Sequence, residues 1–377
     1  NLIECDIIQT MSIKRSHSLS LGVVGLPNVG KSTIFNAITK LSVPAANFPF
    51  CTIDKNVGVV EIPDERLKRM SEYFKAEKVV PSAMTFVDIA GLVQGASKGE
   101  GLGNQFLSHI REVDVIMYVL RAFDSSNIVH VYERINPIED FEIVQSELIL
   151  KDIESVEKRL HAVEKLKRVG DEKGVKEYEV LEKVMNALND GIPVIDMKLN
   201  EEEQEVIYDL FLLTNKKRMF VLNYKEGIAR EKVEEWKKEL EEKTGDIVLI
   251  VDVKFIGEMA NMSDEELGEY ISMLDKKPSL VGDVIKAAYD TLDLLTFYTG
   301  SQKECNAWCI QRGATAKEAA GAIHTDLEHG FITADIVNVD EMINAGGWVE
   351  AKEKGIVKNV GKDHIIEDGD YMIVLAN

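Results

Sequence analysis

The chain has 377 residues, of which 45% are hydrophobic and 29% charged, and its formal net charge is −21. This length allows two or three domains with separate cores, and the acidic balance excludes a protein that coats DNA or RNA generally, so any nucleic-acid contact must be local. No apolar run approaches the roughly 18 residues that cross a bilayer, so we expect a cytoplasmic protein without a membrane partner.

The first folded segment alternates strand-like and helix-like stretches from residue 19 to 133, and the alternation resumes from 213 to 280. Residues 1–18 are expected to form an N-terminal extension, of which residues 1–10 precede the first methionine, Met11, and are either a vector remnant or an upstream extension. Such alternation predicts an α/β fold with a mostly parallel sheet. The strand candidates are Leu21–Val24, Val57–Ile62, Met84–Ile89, Val115–Leu120, Arg218–Leu222 and Ile247–Val251.

Residues 25–32 read Gly-Leu-Pro-Asn-Val-Gly-Lys-Ser, a complete G-x-x-x-x-G-K-[ST] phosphate-binding loop between a predicted strand and a predicted helix. Its glycines let backbone amides point at phosphates, and the helix N-terminus adds its positive dipole end. Lys31 is expected to contact the β- and γ-phosphates, and Ser32 to bind Mg²⁺. The Asn28 side chain could coordinate K⁺ beside the phosphates or simply shape the loop, and the sequence leaves both open.

Two segments downstream of the loop carry candidate switch residues. Thr52 lies at the spacing of the first switch of Ras-like proteins, where a threonine ligates Mg²⁺ when a γ-phosphate is present. Asp88-Ile-Ala-Gly91 matches D-x-x-G, in which Asp holds the metal and the glycine amide contacts the γ-phosphate. Leu92 follows, where many such enzymes have a glutamine that orients the attacking water. Either hydrolysis is very slow or another group positions the water, and glycine-rich residues 95–103 are a lid or an irregular loop.

The third segment, residues 134–212, predicts a helical hairpin inserted into the α/β domain. Apolar residues recur at coiled-coil spacing in two stretches separated by Gly170–Gly174. These residues are Ile149, Ile153, Val156, Leu160 and Val163, then Tyr178, Leu181, Met185 and Leu188. Near the tip, Lys158–Arg168 has five basic residues and one acidic residue, which is either a solvated helix face or an RNA contact.

Base recognition is predicted after the strand that ends at Leu222. Ras-like GTPases have Asn-Lys-x-Asp there, and the aspartate accepts hydrogen bonds from guanine. This chain has Asn223-Tyr-Lys-Glu226, with the lysine displaced and the acid longer by one methylene. That departure counts against GTP and is compatible with ATP.

The last segment, residues 281–377, predicts a compact α+β unit. Its strands are predicted at Asn306–Ile310, Ile332–Val339 and Tyr371–Leu375, around a helix at Ala316–Leu327. Residues 280–377 contain 8 basic and 16 acidic residues, a net −8 that suits RNA phosphate poorly. Cys305 and Cys309 lie four residues apart on one strand, too far for a disulfide, and are expected to be core thiols.

At these residues the chain resembles the YchF family of Obg-like ATPases, over essentially all of its length. The motifs that carry the resemblance are the octet at 25–32, residues 47–52, 88–93, 101–106 and 320–328, and Asn223-x-x-Glu226. The resemblance implies a P-loop NTPase of the Ras-like G-domain type with an inserted coiled-coil hairpin and a C-terminal ubiquitin-like TGS domain. It also implies a preference for ATP, weak intrinsic hydrolysis and association with ribosomes. Two departures are Tyr118, where some members have a histidine implicated in hydrolysis, and Val253, where a serine is common.

The sequence therefore predicts a slow, Mg²⁺-dependent ATPase that acts as a switch on the ribosome, through the large subunit or its RNA, as a monomer. An Obg-type GTPase and a non-hydrolysing adenine-nucleotide sensor are the alternatives. The predicted catalytic residues are Lys31 and Gly91, and the predicted metal ligands are Ser32, Thr52 and Asp88. The predicted ATP-binding residues are Asn28, Val29, Gly30, Lys31, Ser32, Thr33, Asn223, Tyr224 and Glu226.

Overall fold

The computed structural model describes residues 18–39, 57–89, 110–111, 113–124, 134–225, 227–259, 266 and 281–377. The strands of its first sheet are β1 (Ser18–Val24), β2 (Val57–Glu61), β4 (Ala83–Asp88), β5 (Val115–Ala122), β6 (Lys217–Tyr224) and β7 (Val248–Val251), with β3 (Lys78–Val80) belonging to a second sheet. Among the described residues before 280, the helices with bounds are α1 (Lys31–Thr39), α2 (Glu65–Phe74), α3 (Pro137–Arg168), α4 (Glu172–Asn189), α5 (Glu201–Tyr208), α6 (Arg230–Thr244) and α7 (Val253–Met259).

The first sheet has the strand order β2-β4-β1-β5-β6-β7, and β5 pairs in parallel with both β1 and β6. All eight residues of β5 are buried, as expected for a central strand covered on both faces. The register places Val24, the last residue of β1, beside Tyr118, and Arg121 beside Asn223. The carboxyl ends of β1, β5 and β6 therefore meet at one edge, where ligands bind in open α/β sheets.

The predicted helical hairpin is present as α3 and α4, of 32 and 18 residues, joined by a turn at 169–171. The Asn136 side chain caps α3, and Asp171 caps α4 by accepting a bond from the Gly174 amide. The apolar seam of the two helices forms a core cluster that includes Val156, Leu181 and Leu188, each at most 1% exposed. The coiled-coil spacing thus predicted both helices and most of their seam, although Ile153, Leu160 and Met185 are only partly buried and Tyr178 lies outside the cluster.

The second sheet has the order β11-β10-β12-β8-β9-β3 and mixes parallel with antiparallel pairs. Its later strands are β8 (Leu294–Gly300), β9 (Glu304–Gln311), β10 (Phe331–Asn338), β11 (Lys358–Val360) and β12 (Asp370–Ala376). The helices with bounds after residue 280 are α8 (Val281–Leu292), α9 (Ala316–Ile323), α10 (Thr325–His329), α11 (Val339–Ala345) and α12 (Trp348–Glu353). Cys305 and Cys309 are both buried in the core, as predicted.

The single helix predicted at Ala316–Leu327 is wrong. The structure ends α9 at Ile323 and starts α10 at Thr325, because His324 is extended, with φ −162° and ψ 140°. Its imidazole Nδ1 accepts a bond of 3.1 Å from the Asp326 amide and so caps α10. Strands β9 and β12 contain two of the three predicted strands, and β10 matches the third except that Val339 begins α11. The sequence pattern missed β8 and α8.

The chain divides into two compact units. One combines described residues from 59–85 and 292–377, and the other contains those from 20–58 and 86–291. In the first unit β3 pairs in parallel with β9, and α2 contributes Leu67 and Met70 to the core that contains Tyr298. The sequence pattern assigned 59–85 to the α/β domain, and the domain boundaries remain predictions. Across the described residues, the helices include none that is long and apolar enough to span a membrane.

Candidate nucleotide-binding site

The phosphate-binding loop between β1 and α1 adopts the left-handed backbone that its glycines were predicted to allow. Gly25 and Gly30 have φ of 153° and 104°. A Cβ at Gly25 would lie 2.4 Å from the Val119 carbonyl oxygen, so a larger residue there requires the backbone to move. Asn28 also has positive φ, 62°, and asparagine tolerates this region better than most side chains. Loop shape therefore accounts for Asn28, and a role in binding K⁺ stays a prediction.

Lys31 lies within the loop, and its side chain turns back across it. The ammonium Nζ donates a bond of 2.7 Å to the Leu26 carbonyl oxygen. Burial lowers the pKa of this amine to about 8, and the nearby Asp88 carboxylate opposes the shift. Phosphate groups in the loop would add negative charge beside the amine and favour its charged form. The loop thus holds a cation whose charge a bound polyphosphate stabilises.

The first turn of α1 supplies further donors. Its first helical backbone bond runs from the Ile34 amide to the Gly30 carbonyl, 3.0 Å. The amides of Lys31, Ser32 and Thr33 precede that bond and have no acceptor inside the helix. Such amides at a helix N-terminus bind anions, and the exposed position of Ser32 and Thr33 suits a ligand.

Ser32 and Asp88 meet where the sequence predicted a metal. The Ser32 hydroxyl donates a bond of 3.3 Å to Asp88 Oδ2. Burial raises the pKa of the Asp88 carboxyl group, while the Lys31 charge and the Ser32 hydroxyl oppose that shift. A hydroxyl and a carboxylate are oxygen ligands of the kind that Mg²⁺ takes, together with nucleotide phosphates and water. The donor set therefore fits Mg²⁺.

Asn223 braces the loop from the end of β6. Its Nδ2 donates a bond of 2.8 Å to the Val29 carbonyl oxygen, and its Oδ1 accepts one of 3.3 Å from the Val253 amide. The Asn223 residue is only 7% exposed. A Cβ at Gly30 would lie 2.4 Å from Asn223 Nδ2, so the small residue and the amide fit together. The side chain predicted to recognise a base thus also links the phosphate loop to α7.

This bracing was missed from the sequence, as was the Leu26 carbonyl that holds Lys31. The Asn223 side chain was itself the signal for the bracing contact, but sequence spacing does not reveal which backbone atoms its amide group contacts. Val253 uses its backbone amide in the bond to Asn223, so replacing the usual serine leaves this contact intact. Tyr224 is half-buried, and the Arg230 guanidinium lies 5.3 Å from its ring centroid.

Tyr118 lies in the core of this unit. Its ring stacks on Phe220 with centroids 5.2 Å apart and meets Phe141 edge-on at 5.3 Å. The residue is 3% exposed, and burial raises the pKa of its hydroxyl group. Packing therefore explains this side chain. Three predicted site residues lie outside the described residues, namely Thr52, Gly91 and Glu226, as do Leu92 and the predicted lid at 95–103.

Two family models match the chain. A model described as "50S ribosome-binding GTPase" matches residues 20–195. The model of the YchF GTPase C-terminal domain, described as a protein of unknown function, matches residues 294–377.

Curated relatives match along nearly the whole chain. The Bacillus subtilis protein named ribosome-binding ATPase YchF is 44% identical over 359 residues, which cover 94% of this chain and 98% of the relative. The Escherichia coli O157:H7 protein of the same name is 44% identical over 357 residues, with the same coverage. A solved structure described as the Schizosaccharomyces pombe YchF GTPase has a TM-score of 0.82 and 35% identity, and the match covers 95% of this chain and 97% of that one.

Proposed function

The chain belongs to the YchF family, and on that premise we propose that it is a slow ATP hydrolase that acts as a nucleotide-dependent switch on the ribosome. The observation that carries the proposal is the phosphate loop with the carboxylate beside it. Lys31 and Ser32 of the loop and Asp88 at the end of β4 lie together within one unit. The names of the bacterial relatives support ATP and the ribosome. We also place the protein in the cytoplasm as a monomer.

Each residue has a separate part in the proposed reaction. The loop amides and Lys31 bind and orient the phosphates, and the Lys31 charge offsets the negative charge that develops as the γ-phosphate leaves. Ser32 and Asp88 would hold Mg²⁺, with Thr52 as a further proposed ligand, and the ion would neutralise phosphate charge. Gly91 is proposed to donate its amide to the γ-phosphate. Leu92 carries no hydrogen-bonding group for the attacking water, which fits slow turnover.

The choice between ATP and GTP depends on the base site. Asn223, Tyr224 and Glu226 are the proposed contacts, and the longer acid without a preceding lysine favours adenine. Relatives are described both as ATPases and as a GTPase, so the base is the first property to measure.

Paired calorimetric titrations of ATP and GTP with Mg²⁺ test the base preference. We expect ATP to bind at least tenfold more tightly, a difference of about 1.4 kcal/mol. Equal or tighter binding of GTP would return the chain to the Obg-type GTPases.

Turnover separates an enzyme from a nucleotide sensor. Purified Lys31→Ala protein should show no phosphate release above background, because the substitution removes the cation from the phosphate loop. Equal rates for the variant and the unmodified chain would mean that a contaminant causes the activity. ATP binding without turnover in the unmodified chain would favour the sensor.

The monovalent cation has a test of its own at Asn28. Asn28→Gly keeps a residue suited to φ 62° but removes the side-chain carbonyl. If K⁺ is a cofactor held by Asn28, turnover in K⁺ should exceed turnover in Na⁺ for the unmodified chain and not for the variant. A K⁺ dependence that survives in Asn28→Gly would exclude Asn28 as the ligand.

The hairpin tip is the proposed contact with ribosomal RNA. Arg159 and Arg168 are 2.5 and 2.6 Å from Glu177 and Glu164, and the Lys167 amine lies 3.5 Å from the Tyr178 ring centroid. Exposed pairs of this kind contribute little, so RNA phosphate can replace them at low cost.

Reversing the charges of Lys165, Lys167 and Arg168 should weaken co-sedimentation with ribosomes. The slope of the logarithm of the binding constant against the logarithm of the salt concentration should become shallower by about two to three units. A matched control reverses three lysines of α6, at positions 232, 237 and 238, each of which is paired with a glutamate. Equal losses in both variants would show a general charge effect and remove the tip from the proposal.

A further inference from the structure

The connection after α5 carries two exposed aromatic side chains side by side. Tyr208, the last residue of α5, is 51% exposed, and Phe211 is 52% exposed. Their ring centroids are 6.1 Å apart. Nothing in the proposed ATPase cycle uses either ring, so the pair requires its own explanation.

The backbone does not explain why residue 211 is a phenylalanine. Phe211 has φ 48°, in the left-handed region, and its amide closes a turn by donating 3.3 Å to the Tyr208 carbonyl. Glycine or asparagine satisfies such a position with little or no strain, whereas a bulky aromatic residue is a steric outlier there. Strained residues of this kind concentrate at functional sites.

Packing does not explain it either. The chain reversal is anchored by the next two residues, Leu212 and Leu213, which are 3% and 1% exposed. Asp152 of α3 accepts the Leu213 amide at 2.8 Å and secures the turn from the other side. Phe211 therefore keeps a strained backbone although about half of its surface stays in water. Contact with another molecule would remove that apolar surface from water.

The charge around the pair indicates what that molecule is. Residues 199–211 contain five acidic residues and no lysine or arginine. Glu202 and Glu203 form ion pairs with lysines of α4, so the acidic rim around the rings consists of Glu201, Glu205 and Asp209. Glu201 and Glu205 precede Tyr208 by seven and three positions, which places all three on one face of α5. This field attracts a cationic segment and repels nucleic acid. Aromatic anchors with a charged rim are typical of protein–protein interfaces.

We propose that Tyr208 and Phe211 form the centre of a docking surface for a lysine- or arginine-rich segment of a partner protein, with Glu201, Glu205 and Asp209 as its acidic rim. The surface is independent of the ATP site and of the basic hairpin tip. It presents negative charge and aromatic rings, where the tip presents positive charge. One chain would then contact RNA and a basic protein through different faces of its helical segment.

Peptide binding tests the docking surface in the full chain. The probe is a short fluorescent peptide of lysine and leucine. The comparisons are the same peptide with every lysine replaced by glutamate, and an RNA oligonucleotide. The double variant Tyr208→Ser, Phe211→Asn should bind the lysine peptide at least about tenfold more weakly than the unmodified chain. Val349→Asn, at a 60% exposed site elsewhere, controls for the general loss of an exposed apolar side chain and should change nothing.

Thermal unfolding provides the second readout. Phe211→Asn alone should raise the melting temperature, because asparagine relieves the left-handed strain, and Tyr208→Ser should leave it nearly unchanged. Peptide affinities within twofold for the unmodified chain and the double variant would overturn the proposal. A lower melting temperature for Phe211→Asn would also overturn it, since Phe211 would then serve the fold. If the RNA oligonucleotide binds in a way that depends on the two rings, the partner is a nucleic acid and the proposed basic segment is wrong.

Discussion

Removing the Asn223 side chain is the most direct test of how β6 supports the phosphate loop. Asn223→Ala leaves the Val29 carbonyl and the Val253 amide without the side chain that they contact. Asn223 is only 7% exposed, so these groups lie in a buried region. An unsatisfied buried polar group costs about 1–3 kcal/mol, and the bond of 3.3 Å is the weaker of the two. We therefore expect the free energy of unfolding to fall by about 3 kcal/mol. ATP affinity should fall by about tenfold, because the loop that carries Lys31 loses its brace.

Urea denaturation and ATP titration measure the two effects separately. Asn223→Asp distinguishes the two bonds, since it keeps an acceptor for the Val253 amide but places an oxygen against the Val29 carbonyl. Asn359→Ala is the matched control, because this exposed asparagine donates 2.7 Å to Asp335 and its loss should cost less than about 0.5 kcal/mol. The reasoning fails if Asn223→Ala unfolds as easily as the control and binds ATP as tightly as the unmodified chain.

Three further changes test the site and its surroundings. Because burial lowers the pKa of Lys31 to about 8, the folded chain loses this proton before the unfolded chain does, and the unfolding free energy of nucleotide-free protein should rise between pH 8 and 10.5. Lys31→Met should lack this rise in urea titrations, and equal pH profiles would contradict the burial. Asp152→Ala removes the acceptor of three bonds of 2.6–2.8 Å and should cost about 3 kcal/mol by urea denaturation, with a smaller cost for Asp152→Asn. A loss below about 1 kcal/mol would mean that water replaces the carboxylate. Gly30→Ala, with φ 104° and a Cβ 2.4 Å from Asn223 Nδ2, should weaken ATP binding at least about tenfold by calorimetry, whereas Gly245→Ala, at φ 72° in open space, should not. Equal ATP affinities for the two glycine variants would show that the loop accommodates the methyl group.

Local patterns predicted the elements whose physics is local. The octet at residues 25–32 predicted a strand, a turn and a helix in that order, because its glycines allow the tight turn and its lysine lies at the start of the helix. The repeat from Ile149 to Val163 predicted α3 because an apolar seam at that spacing has to be covered by a second helix. The structure confirms both.

Long-range pairing was beyond the sequence pattern. β3 has three residues and lies 226 positions before its partner in β9, measured from Lys78 to Glu304. A strand so short carries no periodic signal, and its pairing depends on a sheet formed much later in the chain. Likewise, the motif at Asn223 predicted a base contact, but its bonds to Val29 and Val253 depend on how three separate loops converge.

The distance between β3 and β9 also has a consequence for biosynthesis. At about 5–20 residues per second, a translating ribosome makes α2 and β3 about 10–45 s before β9. Leu67 and Met70 of α2 have no cover from Tyr298 and its neighbours during that interval. The nascent chain therefore leaves these two apolar side chains without their native partners until its last quarter has been made.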